Sequence, residues 1–170
     1  MDLTETEKAY LAGLFDGEGS VGYYLKTKAN YHVAIAQISN CSPEIMEWLK
    51  AKIPFGSIAV TNNRKCNYTC WSWICNSRLQ LREFLQMIRP YLVFKGKQVD
   101  LLFSLWDAEQ EMGCKSGVKL SPETLELRNL TVVQLKRLKT ASYKRVPIID
   151  NLSEIGYPLT EELALRHQKG

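Results

Sequence analysis

Apolar and polar residues alternate with period two in four stretches of this chain, and helical spacing fills the segments between them. In Gly19–Lys26, Val21, Tyr23 and Leu25 alternate with Gly22, Tyr24 and Lys26, which predicts a strand with one packed and one polar face. A turn over Lys28–Asn30 leads to a second strand, Tyr31–Ser39, whose two faces are both fairly apolar. Ser57–Thr61 and the segment ending at Ile74 form a second hairpin around the polar, basic turn Asn62–Asn67. Thr4 and Glu7 make a capping-box pattern that opens a helix from about Glu5 to Phe15. Ser42-Pro43-Glu44 starts another that reaches about Ile53, with serine as the cap. Asn76–Arg89 is stopped by Pro90, Gln98–Met112 by Gly113, and a last long helix runs from Ser121-Pro122-Glu123 toward Lys139. Beyond Ala141 the pattern loses regularity, with one more turn or short helix over Thr160–Arg166.

The resulting order, helix-strand-strand-helix-strand-strand-helix, is an α+β core of about 4–112 with a helical extension of about 113–170. At 170 residues and 45% hydrophobic content the chain can bury one core, so a single domain is expected over 1–170. Five cysteines, no secretory leader and no long apolar stretch predict a protein away from membranes in a reducing, intracellular compartment. Cys66, Cys70 and Cys75 lack a Cys-x-x-Cys pair and a nearby histidine, so they read as strand-borne free thiols rather than zinc ligands. A net charge of +4 is compatible with a polyanionic partner without establishing one.

The candidate chemistry sits in Leu11-Ala12-Gly13-Leu14-Phe15-Asp16-Gly17-Glu18-Gly19. An apolar helix with small Ala12 and Gly13 on its surface joins a turn bearing two acids, where Gly17 and Gly19 free the backbone. Taken alone, Asp-Gly-Glu-Gly also fits an ordinary helix stop. The run as a whole resembles the signature of the LAGLIDADG homing endonucleases. It agrees through Leu14 and at Asp16 and Gly19, with Phe for Ile at 15, Gly for Ala at 17 and Glu for Asp at 18. The order of strands and helices also follows that family's αββαββα core and antiparallel DNA-binding sheet.

The resemblance implies a metal-dependent DNA endonuclease that uses Mg2+ or Mn2+, with Ca2+ bound but not supporting cleavage. Glu18 takes the place of the metal-binding acid, the Gly17 carbonyl supports it, and Asp16 hydrogen-bonds backbone nearby. Pro90–Gln98 resembles the family segment in which a lysine approaches the active centre, and Lys95 matches that lysine. By charge alone Lys95 is a solvated loop cation. Asn40 takes the place of a water-ordering polar residue, with a turn residue ahead of the next helix as the alternative, and Glu44 departs from the basic residue of some relatives. One motif copy implies a homodimer packed through Leu11, Ala12, Gly13, Leu14 and Phe15 across a twofold axis, reading a near-palindromic site.

Two-stranded ribbons fit the major groove, so the polar strand faces become candidates for base contacts. With Val21, Tyr23, Leu25, Ile58, Val60, Trp71 and Trp73 turned to the helices, the other face presents Gly22, Tyr24, Lys26, Tyr31, Gln37, Ser57, Thr61, Tyr68 and Ser72. Val33 and Ile35 share it and suit thymine methyls. Lys28, Asn30, Asn63, Arg64, Lys65 and Asn67 lie at the hairpin ends. Lys97, Lys139, Lys144 and Arg145 suit phosphate contacts, with Lys136 and Arg137 nearby. The expected partner is duplex DNA, and the role implied by resemblance is mobility of an encoding intron, in an organelle such as a mitochondrion or chloroplast if encoded there. A DNA-binding regulator without cleavage and an intron RNA maturase remain alternatives.

Overall fold

The computed structural model describes residues 3–26, 31–62, 69–114 and 120–144. Helix α1 (Glu5–Glu18) begins in the predicted capping box: the Glu7 N–H donates to Thr4 Oγ1 (3.3 Å), and Thr4 N–H donates to the Glu7 carboxylate (2.9 Å). Strand β1 (Gly19–Lys26) follows with no intervening turn. The expected helix end at Phe15 is therefore corrected. Both acids lie in the last helical turn, because the Gly19 N–H bonds back to the Phe15 carbonyl and closes that turn.

Strands β2 (Tyr31–Asn40), β3 (Ser57–Asn62) and β4 (Thr69–Cys75) complete one antiparallel sheet in the order β1-β2-β4-β3. Helix α2 (Pro43–Lys52) joins the two hairpins, and α3 (Arg78–Ile88) leads through a single 3-10 turn at Arg89–Tyr91 to α4 (Gly96–Glu111) and α5 (Pro122–Lys144). The chain forms two compact units, Met1–Leu102 and Phe103–Gly170, and the division falls within α4. The turns expected at Lys28–Asn30 and Asn62–Asn67 fall almost wholly outside the described residues, and the short helix at Thr160–Arg166 does so entirely.

Within the first unit, α1 packs against β1, β2 and α3, and α2 packs against β2 and β4. The core is aromatic at its centre. Phe84 meets Phe15 edge-on at 5.5 Å and Trp73 at 4.8 Å, with Leu11, Ile38, Leu49, Leu81, Leu85 and Ile88 fully buried around them. Leu81, Phe84, Leu85 and Ile88 form the i, i+3, i+4, i+7 stripe that keeps α3 on the sheet. The ambiguity of β2 is resolved here: Ala34, Ala36 and Ile38 are buried, leaving Val33, Ile35 and Gln37 on the other face. Ile58 and Val60 share the helix-side face through pairing with Trp73 and Trp71, yet both are exposed because β3 is the edge strand.

Two glycines are fixed by close approach. A Cβ on Gly19 would stand 2.5 Å from the Phe15 ring and from its carbonyl oxygen, although its backbone is ordinary extended chain. Gly56 has φ +82°, and a Cβ there would meet the Trp73 indole nitrogen, which donates to the Phe55 carbonyl (3.0 Å). The expectation that Gly17 and Gly19 relax the backbone is thus corrected, since neither takes a positive φ.

In the second unit, Gly113 ends α4 at φ +67°, as its position in the sequence predicts. The Thr124 N–H donates to Ser121 Oγ (3.2 Å), capping α5, and the buried Glu109 pairs with Arg128 at 2.6 Å. At α2 the predicted cap does not form. Ser42 turns its hydroxyl to the Glu44 carboxylate instead, which lowers the pKa of Glu44.

Gly19→Ala is expected to cost about 1–3 kcal/mol through overpacking against Phe15. Within a single chain Gly13→Ala, with no atom within 4 Å of its Cβ, carries no such overpacking and favours the helix by up to about 1 kcal/mol, measured at protein concentrations low enough to keep the chains apart. Urea unfolding of both variants checks the pair, and equal midpoints would refute the close-approach argument. The Lys52 ammonium, 2.5 Å from Glu7, together with the capping bonds from Thr4, lowers the Glu7 pKa to about 2 from 4.5. Its contribution to stability is fully present above about 4.5 and is lost as pH falls through about 2. The difference in melting temperature between wild type and Glu7→Gln should shrink across that window.

Candidate active site and nucleic-acid interface

The end of α1 and the start of α4 exchange charged groups. Asp16 Oδ2 accepts from the N–H groups of Val93 (2.7 Å) and Phe94 (3.1 Å), and Oδ1 accepts from Lys95 N–H (2.9 Å). In return Lys95 Nζ donates to the main-chain oxygen of Asp16. Lys95 is only 8% exposed, and its ammonium also lies 5.2 Å from the centre of the Phe94 ring. A buried cation at a helix C-terminus faces carbonyls with no intrahelical partner and the negative end of the helix dipole, so the site holds charge favourably. The expectation that Asp16 binds local backbone is therefore corrected: the acid binds backbone 77 to 79 residues away.

The rest of the segment is tied down as well. Tyr91 hydroxyl donates to the Glu5 carboxylate at the opposite end of α1, and Arg89 forms a bidentate pair with Asp100, both contacts at 2.6 Å. A Cβ on Gly96 would stand 3.1 Å from that guanidinium, so the glycine makes room for it. Lys97 is exposed in the first turn of α4.

Glu18 and Gly17 are exposed at the end of α1, two residues and one residue past the carbonyl that holds Lys95. Nothing lies within 4 Å of a Cβ built on Gly17 or on Gly13, so this side of the helix is open. Among the described residues no three His, Cys, Asp or Glu side chains cluster as a metal-binding group. Gly19 pairs with Ile38, which sets the end of α1 at the same end of the strands as Asn40, the last residue of β2. Asn40 lies on the helix-side face, and its Oδ1 accepts from Ser42 N–H (2.8 Å), the bond of a turn residue ahead of α2.

The five residues expected at a helix-helix interface divide. Leu11, Ala12 and Phe15 have no exposed surface, because α1 uses them to pack on its own sheet and α3, and they are corrected to core residues. Gly13 is exposed and Leu14 half-buried, on the side left open.

The pairing register puts every described residue of the expected reading face on one side of the sheet. Gly22, Tyr24, Lys26, Tyr31, Val33, Ile35, Gln37, Ser57, Thr61 and Ser72 all fall opposite the helices. Tyr24, Lys26, Tyr31 and Ser57 are exposed. Gly22 is not, because the Tyr24 ring lies over it and a Cβ there would collide with the phenol. Ser72 is also buried, within a hydrogen-bonded trio: Gln37 Nε2 donates to Ser39 (2.6 Å) and Ser72 (3.3 Å), and the two hydroxyls are 2.8 Å apart. Ser20, Ser39 and Ile74 share this face and were missed by the sequence reading. Both serines lie within the predicted strands, and carrying the alternation through to Ser20 and Ser39 would have found them. Lys28, Asn30, Asn63, Arg64, Lys65, Asn67, Tyr68 and Arg145 lie outside the described residues. Lys139 and Lys144 lie on α5 in the second unit.

Cys41 follows the last residue of β2, and a disulfide joins it to Cys70 of β4 with Cα atoms 4.3 Å apart. The free-thiol expectation is corrected at Cys70, because chain spacing cannot reveal a partner on an adjacent strand. Cys75 and Cys114 are free, with burial raising the Cys75 pKa, and Cys66 lies outside the described residues.

This arrangement of one four-stranded sheet, helices on one face and a motif helix ending at the sheet edge recurs in solved structures. Homing endonuclease I-CvuI in complex with the I-CreI target superimposes with a TM-score of 0.64 at 16% identity, over 79% of this chain and 82% of that one. The I-SmaMI LAGLIDADG homing endonuclease bound to cleaved DNA superimposes with a TM-score of 0.55 at 22% identity, over 86% of this chain and 50% of that one. The fold is that of the LAGLIDADG homing endonucleases. The sequence matches no family model and no curated protein. Against the LAGLIDADG fold, this chain spans most of I-CvuI but half of I-SmaMI. No helix among the described residues is long and apolar enough to cross a membrane.

Because the Cys41–Cys70 bond closes a loop of intervening chain, Cys41→Ser should lower unfolding stability by about 2–4 kcal/mol without reductant. With excess dithiothreitol the variant and wild type should melt together. A difference that survives reduction would assign the effect to the serine rather than to the bond.

Proposed function

We propose that this chain is a site-specific homing endonuclease that makes a divalent-metal-dependent double-strand break in duplex DNA. The observation that carries the reading is the meeting of Lys95 with the motif turn bearing Glu18, since the two come from segments that match the family separately and lie far apart in the chain. The open sheet face beside them, with Tyr24, Lys26, Tyr31 and Ser57 exposed, suits a major groove. The neighbours with this fold are described in complex with DNA targets, I-CvuI in the presence of Mg or Ca.

A magnesium ion fits the donors this helix end offers. Glu18 and the Gly17 carbonyl would hold it with hard oxygen ligands on an open surface, and phosphate, water and a second copy of the chain would complete the shell. When bound, such an ion neutralises phosphate charge and makes water a stronger nucleophile. Lys95, held rigidly at the Asp16 carbonyl, supplies positive charge near the leaving oxygen and its waters. Asn40 would order solvent through its amide while its oxygen stays in the turn.

The side of α1 left open at Gly13 and Gly17, together with the one motif in these residues, supports pairing with a second copy as a homodimer. Two copies would pack α1 against α1 through Gly13, Leu14 and Gly17, the side left open, and the twofold would match a pseudo-palindromic site. Lys26 and Lys97, with Lys139, Lys144 and Arg145, would add salt-dependent phosphate contacts. Short 3′ overhangs and mobility of an encoding intron complete the proposal, with the protein working inside the cell or organelle that carries the intron.

Selection from a randomised duplex library, with Mg2+ or Ca2+, tests the reading directly. Wild type should enrich long, near-symmetric sites, cutting them in Mg2+ and only binding them in Ca2+. Glu18→Gln should bind the same sites within a few-fold and cut at least about 10³-fold more slowly, the loss of several kcal/mol of charge stabilisation. Binding without cleavage by the wild type would favour a DNA-binding regulator, and enrichment of folded intron RNA over duplex would favour a maturase.

A further inference from the structure

We propose that Asp16 is a positioning residue that acts through Lys95, a role that rests on the endonuclease reading above. Four hydrogen bonds of the junction point the same way. Three consecutive N–H groups, those of Val93, Phe94 and Lys95, converge on the two Asp16 oxygens at 2.7–3.1 Å. Successive amides aimed at one point form an anion-binding concavity, and a carboxylate fixes all of them at once. The same residue contributes its main-chain oxygen to Lys95 Nζ. One residue of α1 therefore sets both the backbone from which Lys95 projects and the place where its ammonium comes to rest.

The acid cannot be a passive cap of its own helix, because its bonds all run to another segment. Burial holds Leu92 and Lys95 on either side of the exposed pair between them. Val93 is 94% exposed and Phe94 51% exposed, so little apolar burial holds the two residues ahead of Lys95. Their position is set by hydrogen bonds to Asp16. Removing the second carboxylate oxygen would release one or two of the three amides and let Lys95 swing away from the Glu18 end of the helix.

Asp16→Asn tests this, measured alone and in a Lys95→Met background. Wild type and variants are compared by Kd for duplex target in Ca2+, single-turnover cleavage in Mg2+, and the rate at which the Lys95 amine is labelled, read by peptide mass. Asp16→Asn should bind within about threefold and cleave about 10²-fold more slowly, the cost of a misplacement near 1 Å. In the Lys95→Met background the same substitution should change cleavage less than about twofold. Labelling of Lys95 should become several-fold faster. A cleavage loss that persists undiminished in the Lys95→Met background, or a Lys95 labelled at the wild-type rate, would overturn the proposal. If Asp16→Asn unfolds, Asp16→Glu, which keeps both oxygens but shifts them by one methylene, carries the same comparison. A wild type that neither binds nor cuts duplex DNA would overturn the endonuclease reading instead, while the labelling rates would still decide whether Asp16 holds Lys95.

Discussion

Two helix ends in this protein satisfy one another. The C-terminal turn of α1 extends the Asp16 carboxylate to the amides ahead of α4, and the segment ahead of α4 returns the Lys95 ammonium to the Asp16 carbonyl of α1. Helix termini carry unpaired backbone groups and partial charges of opposite sign, so each partner is placed where its charge is favoured. The exchange does more than stabilise two ends. It joins segments from opposite ends of the first unit and brings Lys95 to the motif helix.

The same junction is held from the side by packing. Phe15 sits in the core against Phe84, and Gly19 lets the first residue of β1 pass directly over that ring. Any side chain at 19 would push the strand off the helix, and the exposed acid at 18 would move with it. The core therefore determines where Glu18 emerges, and the charge exchange determines what meets it there.

The sheet divides its two faces for opposite purposes. On the helix side Trp73, Ile38, Ala36 and Val21 close the core, whereas the other side leaves Tyr24, Lys26 and Tyr31 in solvent. Part of that open face is already organised. Tyr24 covers Gly22, and Gln37, Ser39 and Ser72 hold one another, so the groups that would meet a ligand first are those at the strand ends and along β1. The Cys41–Cys70 bond locks β2 to β4 at one end of this surface.

Local signals determined much of this by themselves. The Thr4–Glu7 capping box, the stop at Gly113, the α3 stripe and the alternation of β1 depend on neighbours a few residues apart, and all were readable from the chain. So was the identity of Glu18 and Lys95 as residues of interest, through motif rather than geometry. Tertiary structure decided what depends on distant partners. The end of α1 ran past Phe15 because Gly19 could close its last turn, and Ser42 lost its capping role to Glu44. Leu11, Ala12 and Phe15 went to the core rather than to a partner helix, and Cys70 found Cys41 across a strand pair. Asp16 found its amides on a segment 77 to 79 residues away, because hydrogen bonds between remote segments leave no periodic trace in a sequence.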